Sequence, residues 1–354
     1  MVAKAKRRAV KKRAASKKEA GQSQSTSKSQ RPVSKALKVG GQLVKRGQRR
    51  RLEIPVARLP TGTALSLPIT VLRGKHPGPT IWLSGAVHGD EVNGTEIVRR
   101  VVREVDPKGL RGSIIAVPIV NVYGFVERSR YLPDRRDLNR SFPGSASGSL
   151  ASRLAHLFLE QIVSLCSHGV DFHTGARHRS NLSHVRADLD NPEAARLARA
   201  FGAPLAFHAR TIPGSLREVA GKRKIPIVVF EGGEPLRFAD DVIEIGVAGT
   251  LRVLRELDMW DDSELAPAPP ARWAEKASWL RAGRSGILHL ETSLGDSVAK
   301  GDIVARISDT FSGRRRILRA PFDGMILAQT TIPLVYQGDA IVRLAQLAEK
   351  PLRP

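Results

Sequence analysis

Apolar runs that stop abruptly at a polar residue limit what this chain can fold into. Ile81-Trp82-Leu83-Ser84-Gly85-Ala86-Val87 reads as a buried strand that gives way at His88-Gly89-Asp90-Glu91. Gly169-Val170-Asp171-Phe172 ends in the same way at His173, and Ile225-Pro226-Ile227-Val228-Val229-Phe230 ends at Glu231-Gly232-Gly233. Between the first two, Ile97, Val98, Val101, Val102 and Val105 recur at helical spacing, Asp106-Pro107 closes the run, and residues 113–120 read as another buried strand. Strand, helix and strand in that order predict an α/β sheet. In such sheets ligands bind at the carboxyl edge, where these polar residues fall.

The residue types at those strand ends point to a metal. His88 and Glu91 lie three apart across a Gly-Asp turn, a spacing at which an imidazole and a carboxylate can meet one ion. A catalytic zinc usually keeps three protein ligands and one open position, and His173 is the preferred third ligand because it too ends a strand. His178 and His184 rank lower, since both fall in what reads as a polar loop. Asp171, two residues before His173, is placed either to orient a metal-bound imidazole or to make a plain structural hydrogen bond.

At 354 residues the chain is long enough for two domains and a large core. Its net charge of +24 is uneven, because residues 1–50 hold 17 Lys and Arg against a single acid, Glu19. With no periodic apolar face, that segment is expected to be a disordered tail, serving either as a non-specific polyanion contact or as a solubilising extension. It has no aromatic residue to stack on bases. One cysteine, Cys166, excludes an intramolecular disulfide framework and fits a reducing compartment. No apolar run reaches the length of a membrane span and no apolar segment follows the N-terminal charges, so a soluble cytoplasmic protein is expected.

The organisation expected from these patterns is a tail over 1–50, an α/β domain over 51–262, a Pro-rich linker over 263–272 and a small all-β domain over 273–350. Helices are predicted over 150–165, from Asn191-Pro192 through Phe201, and over 239–257. The stretch 128–144 is a long loop rich in Arg and punctuated by Pro, a character that suits recognition of a carboxylate by a planar guanidinium fork. In the last region Gly295-Asp296-Ser297-Val298 and Gly301-Asp302-Ile303-Val304 are echoed by Gly338-Asp339-Ala340-Ile341, turn chemistry that implies short β runs.

Taken in order, His88-Gly89-Asp90-Glu91, Arg130-Tyr131, Asp137-Leu138-Asn139-Arg140, Asp171-Phe172-His173-Thr174 and Phe230-Glu231-Gly232-Gly233 resemble the succinylglutamate desuccinylase and aspartoacylase family, a branch of the zinc carboxypeptidase fold. The resemblance covers residues 60–260. It implies a mixed sheet flanked by helices and one zinc ion (Zn2+) per chain held by His88, Glu91 and His173. It further implies Glu231 as the carboxylate that activates water, Arg130 polarising the scissile carbonyl, and Asn139 with Arg140 holding the carboxylate of a small N-acyl substrate. The C-terminal region looks more like a lipoyl or biotinyl-carrier half-barrel, although its turn Ser308-Asp309-Thr310-Phe311-Ser312-Gly313 has no lysine to modify. The expected activity is hydrolysis of an N-acyl amino acid. A carboxypeptidase acting on peptides or peptidoglycan fragments, and a non-enzymatic polyanion-binding protein, are the rival readings. The sequence leaves the acyl group, the amine and the oligomeric state open.

Overall fold

The structure, a computed structural model, describes residues 36–270 and 272–348. A hairpin of β1 (Leu37–Val39) and β2 (Gln42–Val44) leads into β3 (Gln48–Arg58), β4 (Ala64–Arg73) and β5 (His76–Ser84). Next come α1 (Asn93–Glu104), β6 (Arg111–Val117), α2 (Val122–Val126), α3 (Leu150–Gln161), β7 (His168–His173) and β8 (Arg179–Ala187). They are followed by α4 (Pro192–Phe201), β9 (Leu205–His208), α5 (Leu216–Lys222), β10 (Ile227–Gly233) and α6 (Asp240–Glu256). The remainder is all β: β11 (Arg272–Arg281), β12 (Gly286–Leu290), β13 (Ser297–Val298), β14 (Ile303–Ser308), β15 (Arg315–Arg319), β16 (Gly324–Thr330), β17 (Leu334–Val335) and β18 (Ala340–Leu347).

Among the described residues, 12 strands share one mixed sheet in the order β13-β16-β18-β11-β9-β8-β10-β7-β5-β6-β4-β3. Its centre is parallel, and the registers set Ser84 beside Asp171 and Glu231 beside His173. Three strands therefore finish level at their carboxyl ends, which gathers polar residues distant in sequence onto one edge. Helices cover both faces. Ile97 and Val101 of α1, Leu197 and Phe201 of α4 and Leu251 of α6 share one core, while Leu154 and Phe158 of α3 and Val219 of α5 share the other. The central strands are buried on both sides, which is why they read as unbroken apolar runs.

Local chemistry fixes the helix ends. Asn191 accepts hydrogen bonds from the amides of Glu193 and Ala194, Pro192 occupies the first turn and Gly202 ends α4 with φ +69°. Asn191 and Pro192 are the start signals read from the sequence, and Gly202 supplies the stop. The predicted helix over 150–165 is split, with α3 ending at Gln161 and a 3-10 turn over Val163–Leu165. No helix among the described residues is long and apolar enough to cross a membrane.

Three expectations change. The tail over 1–50 cannot extend that far, because β1, β2 and the start of β3 lie within its last 15 residues, with Val39 and Val44 fully buried. Gly40-Gly41, both at positive φ, turn that hairpin, a two-residue loop signal outweighed in the reading by the surrounding Lys and Arg. Residues 1–35 of the expected tail lie outside the described residues. Second, the polar loop holding His184 is strand β8, paired on both sides by β10 and β9. Third, the all-β region after 272 is continuous with the central sheet: β11 pairs with β9 and β16 pairs with β8, while β15-β14-β12-β17 forms a separate four-stranded sheet.

Candidate active site

The site begins where β5 ends. Gly85 and Ala86 turn the chain, their carbonyls accepting from the amides of Val120 and Asn121. Ala86 holds φ 47°, a left-handed backbone that costs a non-glycine residue roughly 1–2 kcal/mol and is tolerated here inside a fully buried turn. Gly89 is required by close approach, since a Cβ there would come within 2.0 Å of the Gly124 carbonyl carbon. That tight packing presents His88 and Glu91 on either side of the turn.

His88, Glu91 and His173 converge. All three are buried, and their ligand atoms lie within 4.8 Å of one another. His88 Nδ1 is 2.7 Å from Glu91 Oε1, His173 Nδ1 is 2.7 Å from Glu91 Oε2, and the two Nδ1 atoms are 3.2 Å apart. The outer nitrogens are already committed: His88 Nε2 lies 3.2 Å from Asp137 Oδ1 and His173 Nε2 lies 2.8 Å from Asp171 Oδ2. With each Nε2–H donating to a carboxylate, both Nδ1 lone pairs point inward. Three lone-pair donors can face one another only around positive charge. Nitrogens on one tetrahedral zinc, each bonded at about 2.0–2.1 Å, sit roughly 3.3 Å apart, close to the spacing found.

The electrostatics show a surplus of negative charge around the two rings. Burial alone would lower both imidazole pKa values, yet Glu91 and Asp137 raise that of His88, and Asp171 and Glu91 carry that of His173 well above the usual range. Burial works against the Glu91 carboxylate too, but His88 and His173 hold it far below an ordinary glutamate. With both imidazoles in the neutral, ligating tautomer, Glu91, Asp137 and Asp171, which hydrogen-bond the two rings, are offset among the described residues by Arg130 alone, leaving the charge of one divalent cation uncompensated. A second grouping, Asp188, Asp190 and His208, is far less enclosed, and His208 Nδ1 already accepts from the Leu189 amide.

The other predicted residues line the same pocket as these three. Arg130 donates from Nη1 to Glu91 Oε1 at 3.2 Å and from Nε and Nη2 to Asp137 Oδ2. Asp137 thus serves an imidazole and a guanidinium at once. Asn139 spends its side-chain oxygen on the Leu216 amide at 2.9 Å, fixing the start of α5. Arg140 is exposed at the mouth, with Nη1 on the Asn139 carbonyl at 2.6 Å. Cys166 lies buried, its thiol pushed up by burial, as a small apolar residue would be.

Glu231 is held more firmly than its sequence context implied. Arg186 Nη1 donates to Oε1 at 2.5 Å and Asn181 Nδ2 donates to Oε2 at 2.8 Å. Burial favours the neutral acid, but Arg186, then His184 and His173, bring this carboxyl down to about 2. The registers Val229 with Arg186 and Glu231 with His184 place both β8 side chains on the face of Glu231. Arg186 and Arg217 line the pocket as well, and sequence reasoning missed both. A signal for β8 was present in Val185 and Ala187, which alternate with His184 and Arg186 at the period of a strand.

Comparison with known proteins places the chain among its relatives. The succinylglutamate desuccinylase/aspartoacylase catalytic domain matches residues 77–257. An N-alpha-acetyl-L-2,4-diaminobutyric acid deacetylase from Halomonas elongata is 29% identical over 303 residues, covering 81% of this chain and 87% of that protein. A succinylglutamate desuccinylase/aspartoacylase from Rhodobacter sphaeroides superposes with a TM-score of 0.76 at 25% identity, covering 85% of this chain and 96% of the other. The product-bound ectoine utilization protein EutE (DoeB) from Ruegeria pomeroyi shares the fold at a TM-score of 0.76 and 23% identity, over 84% and 95% of the two chains. With the catalytic-domain match spanning just over half its length and including all three converging donors, the chain belongs to the succinylglutamate desuccinylase/aspartoacylase family.

Proposed function

We propose that this protein is a zinc-dependent deacylase that hydrolyses the amide bond of a small, carboxylate-bearing N-acyl amino acid in the cytoplasm. The observation that carries the reading is the inward convergence of His88 Nδ1, His173 Nδ1 and the Glu91 carboxylate in a pocket that also holds Glu231. His88, Glu91 and His173 would hold one zinc ion, whose contribution when bound is Lewis acidity towards an acyl oxygen and a water. Asp137 and Asp171 keep the two imidazoles in the ligating tautomer.

Glu231 takes one proton from water as the water oxygen bonds to the acyl carbon. It returns that proton to the amide nitrogen as the C–N bond breaks, giving a carboxylic acid and an amine. Arg130 donates to the oxygen on which negative charge develops, a contact that matters only in the transition state. Asn139 and Arg140 take the substrate's carboxylate at the pocket mouth. The relative from Halomonas elongata carries the name of a deacetylase, which favours a short acyl group. The C-terminal strands, read as a carrier-like half-barrel, shape the pocket through β16, which pairs with the strand bearing Asn181 and Arg186. The basic N-terminal segment supplies a separate polyanion contact.

The test is amine release from a panel of N-acetyl, N-succinyl and longer N-acyl amino acids, run beside peptides of ordinary residues. Amine release from the N-acyl amino acids alone is the expected result. Sequential release of C-terminal residues from the peptides would make the protein a carboxypeptidase instead.

A further inference from the structure

The wall around Glu231 carries more positive charge than that carboxylate can balance. Arg186 and Asn181 each take one lone pair on its two oxygens, and the Arg186 guanidinium holds down the basicity of the carboxylate, so Glu231 gains proton affinity when that partner leaves. Arg217 is buried beside them and spends Nη1 and Nη2 on the carbonyls of Ala209 and Arg210. Arg343, delivered by β18, lies over the Phe207 ring at 5.4 Å. The Nε atoms of Arg343 and Arg186 are both buried without a hydrogen-bond partner. Guanidinium groups are costly to bury without matching anions, and against Arg186, Arg217 and Arg343 stand only Glu231 and Asp188 among the described residues, so this wall is built for one anion more than they supply.

We propose that Arg186 reads the substrate's carboxylate and, in turning to it, releases Glu231. The inference rests on the deacylase reading and gives it an order of events: the arriving anion takes the fork that the resting protein spends on its own base. Arg186 and Glu231 are diagonal neighbours across the β8 and β10 pair, and the Arg186 side chain is 23% exposed, so the exchange needs a side-chain swing and no movement of the sheet. One charge-assisted hydrogen bond replaces another, which keeps the two states close in free energy. Arg140, at the mouth, adds affinity. Arg186 couples recognition to turnover. An amide without a carboxylate enters a pocket whose base stays clamped.

The experiment compares kcat and KM for an N-acetyl amino acid and for its carboxamide in zinc-loaded wild type, Arg186→Gln, Arg186→Lys and Arg140→Lys. Arg186→Gln is expected to lower kcat on the free acid by at least about tenfold, the low end for a charge-assisted hydrogen bond, and to raise kcat on the carboxamide, so that the preference collapses towards one. Arg186→Lys keeps charge without the fork and falls between, while Arg140→Lys acts mainly on KM. Equal losses on both substrates in Arg186→Gln would show that Arg186 only props Glu231 in place, and an unchanged preference would show that it does not meet the carboxylate. A second arm measures binding by calorimetry, using an N-ethyl amino acid and its carboxamide, both of which lack the N-acyl bond that is cut. A wild-type preference for the free acid that vanishes in Arg186→Gln supports the inference, and a preference of the same size in both proteins overturns it. A wild type that cleaves none of the N-acyl amino acid panel would refute the deacylase reading, and the binding arm would still decide the role of Arg186.

Discussion

The two sides of the pocket carry opposite charge. At the carboxyl ends of β5 and β7, Glu91, Asp137 and Asp171 surround two imidazoles with Arg130 as the guanidinium partner, and that side is short of positive charge. On the β8 side, Arg186, Arg217 and Arg343 face Glu231, and that side is short of negative charge. One half is prepared for a cation, the other for an anion. In the proposed reading a small amide with a carboxylate would bridge them, its acyl group at the metal-ligand side and its acid at the basic wall. Glu231 stands between the two, and its β10 register beside His173 is what puts it there.

The comparison can be broken at its midpoint. Glu231→Gln keeps shape and removes basicity, so zinc content should be normal while kcat falls by roughly 10²–10⁴, the usual range for general acid–base catalysis. Near-normal turnover would show that another group moves the proton.

The basic wall can be probed through His184, which is fully buried and donates from Nδ1 to the Leu182 carbonyl. Burial lowers its pKa from 6.5 to about 4, so the unfolded chain takes the proton first as the solution is acidified. Its contribution to stability is complete above pH 6.5 and is lost as pH falls towards 4, by about 3 kcal/mol in all. Urea unfolding of wild type and His184→Gln at about pH 7 and pH 4.5 should show a shallower acid loss in the variant. Parallel losses would mean that His184 is not the group being charged.

The acidic side is sharpened by Asp137→Asn. It weakens the hold on His88 Nε2 and on Arg130, and zinc affinity should fall by roughly 10–100-fold, the usual effect of losing a partner of a ligating histidine. Competition against a chelator measures it, and unchanged affinity would leave Asp137 a structural role only. The smallest expected change is at the mouth. Arg140 is exposed, so Arg140→Lys should cost about tenfold in kcat/KM, mostly through KM, near the lower end for a charge-assisted hydrogen bond. A loss confined to kcat would place Arg140 at the reacting atoms instead.

The same contrast explains how much the sequence disclosed. His88, His173 and Glu231 are conspicuous because each closes an apolar run of the sequence whose strand is buried on both faces, so the polar residue marks the point where the sheet meets the site. Asn181 and Arg186 were missed because they sit within a strand whose pocket-lining residues must be polar, and those residues erase the apolar run that would have announced it. Arg343 gave no local signal, since β18 reaches the site through pairings with β11 and β16 made far along the chain. The hairpin at 37–44 was legible in Gly40-Gly41, but so few apolar residues there looked insignificant beside the charge. Strand ends can be read locally. Strand order in a sheet this wide comes from contacts between distant segments.

The most direct test of the account is the metal content of purified wild type and His88→Ala, measured alongside amine release from an N-acetyl amino acid. The convergence of His88, Glu91 and His173 predicts one zinc per chain in the wild type, and loss of zinc and of amine release together in the variant. Stoichiometric zinc retained by His88→Ala, or full amine release from wild type stripped of metal by a chelator, would contradict it.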